Sequence, residues 1–218
     1  VLPSNILRGI AMDAKGRMWM GGTKGCFGYF DKTKDRFISL DMNARPSAKI
    51  SDNRVFSLFT DSKGDIWAGT DAGLCFYNAH EDVPKLITTI DAESGLTGDM
   101  ITSIREDKQG DIWCSSVSGI CRVTRGSYHV TSFGARDGIT ANTGDNNLHT
   151  FRNGSMAIFS SAGYYVFNPT AIEPKRYSVP LAITSFKIDD KEQFFNAVIS
   201  MGKNYTIPAN ANVVSFEY

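Results

Sequence analysis

The sequence predicts an all-β chain built of four-stranded propeller blades. Three observations carry this reading: a short stamp recurs at a near-constant interval, β-favouring runs flank it, and no apolar period near 3.6 lasts long enough for a helix. The stamp reads DAKGRMWMGGTKG from Asp13, DSKGDIWAGTDAG from Asp61 and DKQGDIWCSSVSG from Asp107. Its turn glycines Gly16, Gly64 and Gly110 lie 48 and 46 residues apart, and a fading copy, RNGSMAIFSSAG, puts Gly154 another 44 on. A period in the forties marks stacked supersecondary units, blades in particular.

Each stamp opens with Asp-x-x-Gly, which suits a type I turn with Asp at its first position and Gly at its last. Before the turn, VFSLFT (55–60) and ITSIRE (101–106) read as first strands; after it, DIWAGT and DIWCSS read as second strands. A second reversal follows at TDAG or SVSG. The third strands are LCFYN and ICRVT, and after a polar link the fourths are KLITTI (Lys85 to Ile90) and YHVTSF (Tyr128 to Phe133). Four antiparallel strands per unit make a blade. The units should be consecutive, and they should not close on themselves as a four-bladed ring. In the fourth unit Phe151 replaces the turn Asp and Ala157 the Trp, so its register is less fixed by sequence.

Of the 218 residues 42% are hydrophobic, enough for a chain of this size to bury roughly 70% of its unfolded surface without disulfides. Basic and acidic residues balance at 23 each, and no basic stripe points to nucleic acid or an anionic membrane. No run has the apolar length needed to span a bilayer. The chain starts within a few residues of a blade and stops in NVVSFEY, an unfinished strand pattern, so it reads as a piece of a longer protein.

The stretch from Val55 to Leu74, and more loosely that from Ile101 to Ile120, resembles the two-component regulator propeller repeat. ESGLTGDMITSI (Glu93 to Ile104) is similar to that family's inter-blade link, and GYYVFNPTAIEP (Gly163 to Pro174) to the close of its last blade. VPLAITSFKIDDK and IPANANVVSFEY resemble the opening strands of the Ig-like Y_Y_Y domain that follows the propeller in periplasmic sensors of Bacteroides-type hybrid two-component systems. The resemblance implies blades over residues 1–174 and a truncated Ig-like domain over residues 175–218. It also implies a non-catalytic periplasmic sensing segment of a membrane-anchored hybrid histidine kinase, homodimeric in full-length form, that detects a glycan-derived oligosaccharide. A propeller enzyme is the alternative, weakened by three scattered histidines. A WD40-like interaction propeller is another, but Trp67 is followed by Ala68 and Gly69 rather than Asp.

Trp19, Trp67 and Trp113 could be sugar-stacking platforms, but one shared register on the second strand reads as packing between blades. Asp13, Asp61 and Asp107 read as turn residues that bond their own backbone. Cys114 and Cys121 come opposite each other if Val117 and Ser118 form a hairpin tip. That would allow a cross-strand bridge, though strand pairs rarely suit one and buried thiols are expected. No metal-ligand spacing, catalytic constellation or cofactor loop is present in the sequence, so no catalytic residue, metal or cofactor is assigned.

The candidate ligand-binding residues lie where the links entering each first strand share a face with the turns between second and third strands. That face collects Ser51, Asp52, Asn53, Arg54, Asp71, Thr97, Asp99, Ser116, Ser118 and the link from Thr140 to His149. Amides, hydroxyls and an arginine suit the hydroxyls of neutral or acidic sugars. Arg54, Asp99, Asn142, Asp145, Asn146 and His149 are the assigned residues.

Overall fold

The computed structural model of the protein describes residues 6–23, 25–40, 54–139, 147–160, 163–172, 185–188, 191–194, 198–200 and 204–206. The chain divides into two compact units, Val1–Lys175 and Arg176–Tyr218.

The first unit holds four antiparallel sheets in chain order. The first is β1 (Leu7–Met12), β2 (Met18–Gly22), β3 (Phe27–Asp31) and β4 (Arg36–Ser39); the second is β5 (Val55–Thr60), β6 (Ile66–Thr70), β7 (Gly73–Asn78) and β8 (Lys85–Ile90). The third is β9 (Ile101–Glu106), β10 (Ile112–Ser116), β11 (Gly119–Val123) and β12 (Val130–Phe133). A short 3-10 turn at Ala135–Asp137 leads on to the fourth: β13 (Asn147–Thr150), β14 (Met156–Ser160) and β15 (Gly163–Phe167), three strands among the described residues. Strands pair in simple sequence order within each sheet, and β1 pairs β2 of its own sheet rather than the fourth sheet. The second unit contains two hairpins, β16 (Ser185–Ile188) with β17 (Lys191–Phe194) and β18 (Val198–Ser200) with β19 (Asn204–Thr206). Among the described residues no helix is long and apolar enough to cross a membrane.

The strands fall where the alternation places them, with one correction. The fourth strand of the third sheet begins at Val130, not Tyr128. Tyr128 takes a left-handed backbone (φ 57) and closes a turn by donating its N–H to the Thr124 carbonyl at 2.9 Å, so it cannot join the extended ladder.

The stamp turn forms four times. Gly16, Gly64, Gly110 and Gly154 each donate to the carbonyl three residues earlier, at 2.9–3.1 Å, with φ between 73 and 91. Glycine is therefore required for its backbone and not only for its small size. At Gly64 a second constraint applies, because a Cβ there would come 2.4 Å from the Cβ of Ala14 on the neighbouring sheet's turn, whose N–H donates to the Gly64 carbonyl.

The apolar cores lie in the seams between successive sheets rather than inside any one sheet. Trp19, Phe27 and Tyr29 of the first sheet pack with Val55, Ile66, Ala68, Cys75 and Tyr77 of the second. Trp67, Leu74, Phe76 and Ile90 of the second pack with Ile101, Ile104, Ile112, Cys114, Cys121 and Val123 of the third. Trp113, Ile120 and Phe133 of the third pack with Leu148, Met156 and Ile158 of the fourth. Each seam thus receives one stamp tryptophan from the sheet on its N-terminal side. The strand pleat explains this: Ile66 and Trp67 are adjacent and face opposite sides of one sheet.

Candidate functional site

The stamp residues form one structural device. In each full copy the Asp Oδ1 accepts backbone N–H groups two and four residues on: Lys15 and Arg17, Lys63 and Asp65, Gln109 and Asp111, all at 2.9–3.0 Å. Oδ2 accepts the indole N–H of the Trp six residues on, at 2.7, 2.9 and 2.8 Å for Trp19, Trp67 and Trp113. The three rings are 0–1% exposed, so they pack in the seams and offer no free face to a sugar.

Two of the three carboxylates also hold a guanidinium. Arg17 Nε donates to Asp13 Oδ2 at 2.6 Å, while its terminal nitrogens reach the carbonyls of Ala79, Glu81 and Asp82 in the β7–β8 link of the second sheet. Arg125, from the third sheet, donates to Asp61 Oδ2 at 2.8 Å and to Glu106 at 3.0 Å, and Glu106 in turn accepts from the Ser62 N–H and hydroxyl. Arginine thus bridges the first two of the three seams, from the earlier sheet in one case and the later in the other. Asp107 has no such partner among the described residues.

Of the assigned ligand residues, Arg54 and Asp99 are exposed and are gathered by one turn. The Asp71 N–H donates to the Arg54 carbonyl at 3.3 Å, and the Gly73 N–H to the Asp99 carbonyl at 2.7 Å. The turn between β6 and β7 therefore ties its own sheet's entry link to that of the next sheet. Asp99 Oδ1 accepts the Ala92 N–H at 3.0 Å, which leaves Oδ2 for another donor. Thr97 and Ser116 bond through their hydroxyls at 2.7 Å at this same end. Asn142, Asp145 and Asn146 lie outside the described residues, as do Ser51, Asp52 and Asn53. His149 sits within β13, opposite Ala157, and its ring meets Phe151 edge-on at 5.1 Å. It belongs to a strand rather than to the link that precedes it.

At the opposite end of the sheets is a cleft of about 420 Å³ between the β1–β2 and β3–β4 turns, lined by Lys15, Arg17, Tyr29, Lys32, Lys34 and Asp82 among others. Two of its lysines are paired within it, Lys15 with Asp82 at 2.7 Å and Lys34 with Asp31 at 3.2 Å. Sequence reasoning placed no site there, because turn lysines carry no signal of their own.

Cys114 and Cys121 stand directly opposite across β10 and β11, and both are free and buried. The Cys121 sulfur accepts the Thr97 N–H at 3.2 Å, with the Thr97 and Ser132 hydroxyls at 3.4 and 3.6 Å. The Cys114 S–H, ahead of these donors, holds Cys121 down to about 6 against burial, while donating that hydrogen bond and being buried push Cys114 well up. A depressed pKa contributes stability that is full above the unfolded value of 9.0 and is lost as pH falls through about 6. Urea unfolding should therefore show wild-type stability rising from pH 6 to pH 9 relative to Cys121→Ser. A parallel pH dependence in the two proteins would show that the thiol does not titrate in this window. Among the described residues no cluster of three His, Cys, Asp or Glu could hold a metal.

Residues 49–72 and 95–118, each running from an entry link through the first two strands to the turn beyond, match the two-component regulator propeller family. No curated protein matches the chain. Among solved structures, the chain is similar to the extracellular domain of the hybrid two-component system BT3049 from B. thetaiotaomicron, with 25% identity over 77% of this chain and a TM-score of 0.65. The chain spans only 22% of that domain's length. An auxiliary nutrient binding protein from Bacteroides thetaiotaomicron shares the fold, at 11% identity over 74% of this chain and 37% of that one, with a TM-score of 0.51. The first two strands of the second and of the third sheet thus match the two-component regulator propeller repeat, and the chain that carries them is similar over most of its length to the extracellular part of a hybrid two-component system.

Proposed function

We propose that the chain is a non-catalytic ligand-sensing segment of the extracytoplasmic region of a hybrid two-component receptor. The observation that supports this best is the likeness to the BT3049 extracellular domain across 77% of the chain. In this reading residues 1–174 are blades of a larger propeller and residues 175–218 open an Ig-like domain. The parent is a membrane-anchored, homodimeric histidine kinase with its sensor in the periplasm, and the ligand is a glycan-derived oligosaccharide.

A sensor without chemistry of its own can signal only through unequal affinity for two arrangements of the parts its ligand touches. The entry-link end suits that task, because one turn already joins Arg54 and Asp99 of successive sheets. Arg54, Asp99, Asn142, Asp145 and Asn146 are proposed to bond sugar hydroxyls or an acidic substituent, with His149 a secondary contact.

Calorimetric titration of the full extracytoplasmic region with a panel of oligosaccharides should find one binder. Its affinity should fall at least tenfold, about 1.4 kcal/mol, in Asn146→Ala or Arg54→Ala, with the melting temperature kept. Unchanged affinity in both variants removes these residues from the site, and turnover of the sugar replaces the sensor reading with an enzyme.

A further inference from the structure

Around Trp113 the third sheet departs from the two before it. Strand register places Arg105 of β9 and Arg122 of β11 on either side of Trp113, in the row that faces the fourth sheet. The same positions hold Phe59 and Phe76 beside Trp67, and Ala11 and Tyr29 beside Trp19. Two guanidinium groups thus stand where the second sheet has two phenyl rings.

Both arginines are only partly exposed, and among the described residues neither has an ion-pair partner. The Arg122 guanidinium lies 5.9 Å from the Trp113 ring centre, and its Nε is buried with no acceptor. Arg105 donates to the neighbouring Ile104 carbonyl at 2.6 Å, and burial alone draws its pKa below the ordinary arginine value. Across the seam, Thr150 shares a strand face with Leu148, which packs in the same core as Trp113, and the Thr150 Oγ1 is likewise buried without a partner.

Positive groups partly withdrawn from water without a counter-charge are costly, and the missing complement is an anion. Arg105 and Arg122 sit two strands apart, about 10 Å at the backbone, a gap that two arginine side chains can close around one group. Their planar forks match the geometry of an oxyanion.

We propose that Arg105 and Arg122, flanking Trp113 in the seam between the third and fourth sheets, with Thr150 across it, form a binding site for an oxyanion, a carboxylate or sulfate. The group arrives either as a free inorganic ion or as the acidic substituent of a sugar. The site stands independently of the sensor reading, since it rests on unpaired charge within the fold.

The test is thermal unfolding of the purified protein in sodium sulfate and in sodium galacturonate. The controls are sodium chloride of equal ionic strength and neutral galactose. Wild type should melt roughly 2–4 °C higher with at least one oxyanion than with its control. Arg105→Met/Arg122→Met should lose that rise. Arg125→Met, which breaks an ion pair in a different seam, should melt lower but keep it. A response to sulfate alone identifies a free ion, and a response to galacturonate identifies a sugar carboxylate. A rise of equal size in the double variant, as general exclusion of salt from protein surfaces would give, overturns the site, and so does no rise in wild type. If the double variant does not fold, Arg122→Met alone carries the same comparison.

Discussion

Trp67→Ala should lower the unfolding free energy by about 3–5 kcal/mol, the loss usual for a fully buried large aromatic. The ring is 1% exposed, stacks on Phe76 at 4.4 Å between ring centres, and fills the seam against Ile101 and Ile104 of the next sheet. Truncation removes those contacts from two sheets at once and takes away the indole donor at 2.9 Å, leaving Asp61 Oδ2 to Arg125 alone. Urea unfolding followed by tryptophan fluorescence and circular dichroism gives the value. A variant that melts unchanged and loses ligand affinity would reassign the ring from packing to recognition.

Asp61→Asn should cost a comparable amount, about 3–5 kcal/mol, because it breaks a buried ion pair while leaving one partner behind. The Asp61 side chain is 0% exposed and that of Arg125 17%. The substitution keeps one oxygen for the turn amides but offers an NH2 group to two donors, the Trp67 indole and the Arg125 guanidinium. Asp107→Asn is the internal comparison. Its Oδ2 holds only the Trp113 indole, so the loss should stay near 1–3 kcal/mol. Equal losses at the two positions would show that the guanidinium adds nothing to the turn.

The repeat was legible because its parts obey local rules. The Asp-x-x-Gly turn, the alternation in VFSLFT and ITSIRE, and the opposition of Cys114 to Cys121 all follow from short-range geometry, and the structure has them in those registers. The bond from Trp67 to Asp61 spans six residues and a hairpin, so turn chemistry accounted for Oδ1 and was silent on Oδ2. The guanidinium bridges were hidden for a different reason. Arg17 sits in a β1–β2 turn and Arg125 in a β11–β12 link, two unlike positions that converge on equivalent carboxylates only after the sheets are stacked. Of the candidate site, the shared end of the links and second turns was readable from strand direction, and Arg54 and Asp99 do meet one turn. His149 was read as link because it follows a polar run, yet its alternation with Leu148 and Thr150 belongs to a strand.

Because each core is owned jointly by two neighbouring sheets, the first unit behaves as a one-dimensional array of nearest-neighbour couplings. In such an array cooperativity depends on the weakest link. Among the described residues the link between the third and fourth sheets lacks the carboxylate–guanidinium bridge of the other two, since Asp107 Oδ2 holds the Trp113 indole and no arginine. Partial unfolding should begin there, with the fourth sheet exchanging its amide hydrogens while the first three remain protected. Energy supplied at that junction alone would change how far order propagates along the array.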